Sequence, residues 1–413
     1  MKSTVAVMIV LGLLVLGWSS ALAGDAGRES PFAVGAGARA LGMGGGFTSV
    51  ADDASAVYYN PAGLARLDFQ EAGVMHMSLL EGAIYDYAAW VYPTHSLGGF
   101  GIAFMRMGVG DIVRREGFVE LGEFDYAESQ FVISYGRRLR GGLAAGVSLK
   151  LVSQSLDNFS DNGLGLDFGM TGQIHDNLRV GVTVRDMIPV TLELNTTEET
   201  IPVTLVFGLS TTPINLGERA TVMASFELED TEDRAVRLHT GAELMLDGSY
   251  ALRAGYDRDN FALGAGLKAG RLKIDYAYKF LDYVDDSHRF SLSYLIGTSI
   301  PDQLERQELE ERRRGTTLLA DERRRQMAFY KDKADAFYRQ YRLDSALTYY
   351  QRALAFDERN DEIIGTIAAI ERARRVQVEE EQRLQVRQLE LRTIMDTYYQ
   401  QAETFFALSL IHI

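Results

Sequence analysis

The chain contains no cysteine. That excludes disulfides, thiolate zinc sites and thiol catalysis, and it permits an oxidising compartment. Proline is scarce, with 7 residues against 40 glycines, so long segments run uninterrupted while tight turns and close backbone approach are well supplied. The six histidines, at 76, 95, 175, 239, 288 and 412, never take the H-x-x-x-H spacing of a zinc site. Neither a G-x-S-x-G elbow nor a Gly-Lys-Ser/Thr phosphate loop occurs. Positive charge is in deficit: 42 Lys and Arg against 57 Asp and Glu give a net charge of -15, which argues against a nucleic-acid partner. No cofactor and no enzymatic activity are expected.

Membrane-helix sequence is also missing. Only Met1 to Ala23 is strongly apolar, and it reads as a secretory signal peptide. Lys2 is its basic start, Thr4 to Gly17 its apolar stretch and Ala21-Leu22-Ala23 its cleavage site. From about Phe69 to Gly297 the sequence becomes a train of segments near ten residues long, alternating in polarity. Arg271 to Phe280 places Leu272, Ile274, Tyr276 and Tyr278 opposite Lys273, Asp275, Ala277 and Lys279, a strand signature. Segmentation predicts about fourteen strands between residues 68 and 300. Short joints fall on one side and longer loops, such as 108–125, 155–162 and 186–200, on the other. That pattern, with 20 Tyr and 20 Phe for interfacial girdles, predicts an all-β transmembrane barrel. A soluble β-sandwich is the rival. Lys150, Arg179, Arg185 and Lys273 fall on the lumen face. An even strand count puts both chain ends on one side, which export would make the periplasm.

After Pro301 the pattern changes again. Residues 301–326 read as a charged helical linker. Ala334, Phe337, Tyr341, Ala346, Tyr349-Tyr350 and Ala353-Leu354 match the spacing of a 34-residue tetratricopeptide (TPR) unit, although Glu358 stands where that repeat has Pro. Residues 361–392 read as a further helical stretch and Tyr398 to Phe406 as the start of a third. The region 327–407 is thus predicted to be a TPR-like arm that binds periplasmic or secretion-system proteins. The last six residues, 408–413, are what an in-frame reading of a transposon-library adapter would give, so the natural chain is expected to continue, and no function is assigned there.

Between leader and strands, residues 24–67 carry three motifs. Gly35 to Ala40 fits G-x-G-x-x-A, but the dinucleotide fingerprint needs a βαβ setting that is missing here. Asp52-Asp53 reads as helix N-capping ahead of Ala54-Ser55-Ala56, because adjacent side chains diverge and no third ligand has metal spacing. Asn60-Pro61 reads as an N-cap with Pro at the first position of a short turn through Leu64. The acidic loop Asp157 to Gly163 departs from calcium-loop spacing and reads as a solvated loop.

The run Gly37 to Ala40, Gly42 to Gly45, Ala51 to Ala56 and Asn60 to Leu64 resembles the PorV/PorQ family (UPF0164), within the FadL-like outer-membrane barrels. The resemblance implies a fourteen-stranded barrel in the outer membrane, surrounded by its lipid, with residues 24–67 as a hatch. Gly42, Gly44, Gly45, Asp52, Asp53, Asn60, Pro61, Ala62 and Gly63 are the gate residues it implies. It further implies either an accessory role in type IX-like protein secretion or, alternatively, passage of long-chain fatty acids or another hydrophobic ligand through the barrel.

Overall fold

The computed structural model describes residues 30–79, 82–195, 197–232, 234–257, 260–281 and 287–409. The leader at 1–23 and residues 410–413 of the adapter reading lie outside them. Two compact units divide between Leu304 and Glu305.

The first unit is built from β1 (Gln70–Ser78), β2 (Ile84–Thr94), β3 (Gly98–Glu116), β4 (Val119–Arg138), β5 (Leu143–Leu156), β6 (Phe159–His175) and β7 (Leu178–Ile188). A hairpin follows, β8 (Val190–Leu194) and β9 (Thr197–Ile201), then β10 (Thr204–Thr211) and the two-residue β11 (Ile214–Asn215). The wall continues with β12 (Ala220–Thr231), β13 (Arg237–Leu246), β14 (Tyr250–Asp257), β15 (Asn260–Ala269), β16 (Leu272–Lys279) and β17 (Ser287–Ile296). The main sheet has fifteen members, and β10 also pairs with β12, so the ring closes; without the short β11 it has fourteen strands. All pairs are antiparallel, and β1 meets β17 to join first strand to last. The predicted barrel is therefore observed, and closure leaves no sheet edge.

Side-chain alternation explains why these segments span lipid. Val74, Ala88, Phe104, Phe131 and Leu151 stand side by side across β1 to β5. They face outward, with Val74, Phe104 and Leu151 each close to half exposed. Their sequence neighbours on the other face, among them Met75, Met105, Val132 and Lys150, are buried inside the ring. An apolar exterior around a mixed interior is the transmembrane-barrel arrangement.

Two loops differ from their expected form. Strands β3 and β4 run on through the expected 108–125 loop and turn at Gly117-Phe118. Beyond the apolar band both faces of this hairpin are wet, so polarity stops alternating and the strand loses its sequence mark. The expected 186–200 loop contains the β8–β9 hairpin.

After α1 (Ala38–Gly42) and α2 (Ala56–Tyr59) of the N-terminal segment, the helices are α3 (Ile300–Arg339), which runs from the end of the first unit into the second, α4 (Leu343–Leu354) and α5 (Asp361–Ser409). Ala334, Ala346 and Ala353 are fully buried, as their spacing predicts for closely packed helices, and they share a core with Tyr350, Ile363 and Ile370. The charged stretch 301–326 is continuous with the first packed helix, and 361–409 is one helix where the sequence suggests two. Neither joint carries a Pro to break it.

Candidate functional site: the barrel lumen and its inserts

Residues 30–67 lie inside the barrel, packed on its wall. The segment contains α1 (Ala38–Gly42), α2 (Ala56–Tyr59) and a 3-10 turn, Pro61–Arg66. Phe32, Met43, Phe47, Val50, Val57 and Leu64 are almost wholly buried and form one core with Met75, Met77, Tyr85 and Met105 of the wall. An inserted segment this short cannot bury itself; the wall supplies the other half of its core.

Glycines make the fit. Seen from the segment, a Cβ on Gly44 would meet the Tyr256 and Thr240 carbonyl oxygens at 2.5 and 2.7 Å, and its φ of +70° is a second reason for glycine. A Cβ on Gly63 would meet the Ala51 oxygen at 2.2 Å, and one on Gly42 would meet Gly264 Cα at 3.0 Å. Gly45, also at positive φ, faces His239, whose Nδ1 lies 3.1 Å from the Gly44 oxygen.

Seen from the wall, the same contacts need inward-facing glycines. Gly136 and Gly146 lie against Pro61 and Ala62, Gly169 against Asn60, Gly181 against Thr48 and Ser49. Gly241 and Gly255 lie against Met43 and Gly44. Would-be Cβ atoms at these positions come within 2.1–2.5 Å of the segment, closer than any real contact, so the wall strands are cut to its backbone. Sequence reasoning missed this belt. Its signal was a glycine on the lumen parity of strands β4 to β7 and again of β13 and β14.

The polar predictions resolve individually. Asn60 caps the 3-10 turn, accepting from Ala62 N at 3.0 Å, with Pro61 at its first position as predicted. Its amide also donates to Thr48 O at 2.9 Å and to Met170 O of β6 at 3.0 Å, which ties the turn to the wall. Asp53, three residues before α2, accepts from Ser55 N at 2.9 Å, so the capping reading holds only for a local turn. The main partner of the pair is Arg39, which reaches Asp52 at 2.5 Å, Asp53 at 3.1 Å and Glu243 of β13 at 2.9 Å. Burial acts to raise the Asp53 carboxyl, but the Arg39 guanidinium overrides it and holds the group below the usual carboxylate range. The Gly35 to Ala40 stretch sits in this packing, not between a strand and a helix.

The rest of the lumen is a lattice of ion pairs. Lys150 sits between Asp167 at 2.7 Å and Asp186 at 2.5 Å. Arg253 bridges Glu243 at 2.6 Å and Asp275 at 2.7 Å. Arg185 pairs with Glu229, and Lys273 with Glu71 at 2.8 Å. Lys150, Arg179, Arg185 and Lys273 thus all take the lumen-facing positions expected of them. In the 157–163 stretch, Asp157 pairs with Arg114 and Asp161 accepts from Glu193 N at 2.6 Å.

Fold and site together define a fourteen-stranded transmembrane β-barrel with its N-terminal segment packed inside. Residues 22–155 match the model of UPF0164, an uncharacterised protein family, so the resemblance read from Gly37 to Leu64 is shown, and it extends through the first five strands. No protein with a curated description matches the chain. Among solved structures, the Pseudomonas putida toluene transporter TodX aligns with 65% of this chain and 98% of its own, at 15% identity and a TM-score of 0.47. A FadL homologue from Pseudomonas aeruginosa aligns over 66% and 100%, at 14% identity and a TM-score of 0.44. The CymD monoaromatic hydrocarbon channel aligns over 64% and 98%, at 13% identity and a TM-score of 0.46.

Proposed function

We propose that this is a non-enzymatic outer-membrane barrel of PorV/PorQ type. In this reading it is an accessory of protein export to the cell surface, with the helices after residue 304 as a periplasmic partner-binding arm. The observation that carries the reading is the filled lumen. The N-terminal segment is interlocked with wall backbone, and the cavities beside it are small, one of about 40 Å³ at Phe32 and Lys150 and one of about 30 Å³ at Arg39 and Lys273, room for a few waters each. A wall so filled serves as a rigid membrane-held body. The apolar exterior gives it its lipid contact. The arm, by contrast, offers exposed apolar side chains, Leu384, Leu391, Met395 and Tyr398 among them, to something outside itself. An even strand count and the expected leader support a periplasmic arm.

A second reading has its own support. Met75, Met77, Tyr85, Tyr87 and Met105 form an apolar inner wall beneath Phe32. If residues 30–34 withdrew, that wall would suit a hydrophobic small molecule, as in FadL-like transport, with residues 24–67 then acting as the hatch. Deleting the gene and assaying both surface-cargo release and labelled oleate uptake separates the two. Loss of cargo release alone supports the first reading and loss of uptake alone the second, while a deletion strain normal in both contradicts each.

A further inference from the structure

The β8–β9 hairpin is not a surface loop. Val190, Leu192 and Ile201 are buried in one cluster with Val152 of β5, and Val152 lies on the same inward face as Lys150. Two inward glycines of β6 receive the hairpin: a Cβ on Gly163 would meet Val190 Cγ1 at 2.5 Å, and one on Gly165 would meet Val190 Cγ2 at 2.8 Å. Glu193 N donates to Asp161 at 2.6 Å, a third tie to the same strand. Strand β6 therefore carries two separate glycine seats. Gly169 serves the N-terminal segment and the Gly163–Gly165 pair serves the hairpin, from the opposite end of the barrel.

The larger cavity lies between these inserts. Phe32, Val57 and Tyr58 line it from the segment, Ile201 and Pro202 from the hairpin's return, and Lys150, Asp167 and Thr204 from the wall. Burying Val190, Leu192 and Ile201 stabilises the seated hairpin by roughly the worth of three apolar side chains, on glycines other than those that seat the N-terminal segment.

The geometry points to a second, independent closure: the β8–β9 hairpin is a lid that shuts the lumen from the far end, so that the cavity is a chamber between two closures in series. Each closure has its own glycine seat on the wall, and unseating the lid opens the chamber while residues 30–67 stay in place.

The absence of cysteine makes the test free of background. Gln130, 6% exposed and lining the cavity, is changed to Cys in the full chain, purified and folded in detergent, and its rate of labelling by a charged maleimide is measured. A Phe118→Cys protein, at a fully exposed position, sets the open rate. Two lid variants are compared: residues 190–201 replaced by a short Gly-Ser linker, and Val190→Asp with Leu192→Asp, which unseats the hairpin without removing it. Heat-modifiable migration on SDS gels checks that each barrel is folded. Both lid variants are expected to label Gln130→Cys about tenfold faster or more, since the rate follows the population of the open form. A Phe47→Cys reporter, buried within the segment, is expected to stay protected in them. The inference is overturned if Gln130→Cys already labels at the open rate with the lid intact, or stays within about twofold of the parent in folded lid variants. Labelling of Phe47→Cys on unseating the lid would overturn the independence of the two closures.

Discussion

One segment of the chain precedes the barrel strands and another follows them, and the two are held by different physics. Residues 30–67 have little regular structure, yet Phe47, Val50, Val57 and Leu64 are almost completely buried. Residues 305–409 are almost entirely helical, yet their core is a small cluster around Ala334, Ala346 and Ala353, and long stretches of α3 and α5 are exposed along their length. The first segment takes its order from tertiary contact with a wall shaped to receive it. The second takes its order from local hydrogen bonding along the helix, which continues whether or not a face is covered. Order and burial are therefore separate matters in this chain, and only the N-terminal segment has both.

That contrast can be broken at its strongest point first. Arg39→Ala removes the cation that faces Asp52, Asp53 and Glu243, leaving buried Asp53 without its guanidinium while Glu243 keeps Arg253. A loss of about 3–5 kcal/mol is expected, seen as collapse of hydrogen-exchange protection across residues 38–53 while wall strands remote from them keep theirs. Next, Gly146→Val drives a side chain into the Pro61–Ala62 backbone. A cost of about 1–3 kcal/mol is expected, and a Phe47→Cys reporter should become reactive in a barrel that is still heat-modifiable. In the second unit, Ala346→Leu overfills the site where α4 meets its neighbours. It should lower the melting temperature of the helical signal by an amount corresponding to about 1–3 kcal/mol and leave protection of residues 38–53 unchanged. Smallest is Gly315→Ala, in a helix with nothing within 4 Å of the new methyl. It should stabilise α3 by about 1 kcal/mol, measured as a small gain in helical ellipticity on heating. If Gly146→Val were as mild as Gly315→Ala, the seat would not be what holds the segment.

How much of this was legible in advance follows from which interactions leave a periodic mark. Barrel strands did, because lipid outside and charge inside impose period two; Leu272 to Lys279 reads as a strand and is one. Past the apolar band the mark disappears, so the extensions of β3 and β4 read as loops; β8 keeps the alternation, but over only five residues, Val190 to Leu194, and read as part of a loop. Small residues at helical spacing revealed the packing of Ala334, Ala346 and Ala353. Asn60-Pro61 revealed its cap because that hydrogen bond is local, two residues long. Arg39 stood in the family-like run without a pairing role: its partners stand thirteen, fourteen and 204 positions away, and no local pattern encodes pairing at such separation. The wall glycines were visible as letters but not as a belt, since each lies on a different strand and only closure of the ring brings them to one level.

The account turns on residues 30–67 being locked inside the wall while the helices after residue 304 stand exposed. Limited trypsin digestion of the folded, detergent-purified protein, with fragments assigned by mass, tests this most directly. Early cuts are predicted in the exposed arginines between Arg312 and Arg325 of α3, leaving a stable, heat-modifiable barrel in which the bond after Arg39 is intact. Cleavage after Arg39 in a barrel that still shows heat-modifiable migration, at a rate comparable to the α3 sites, would contradict it.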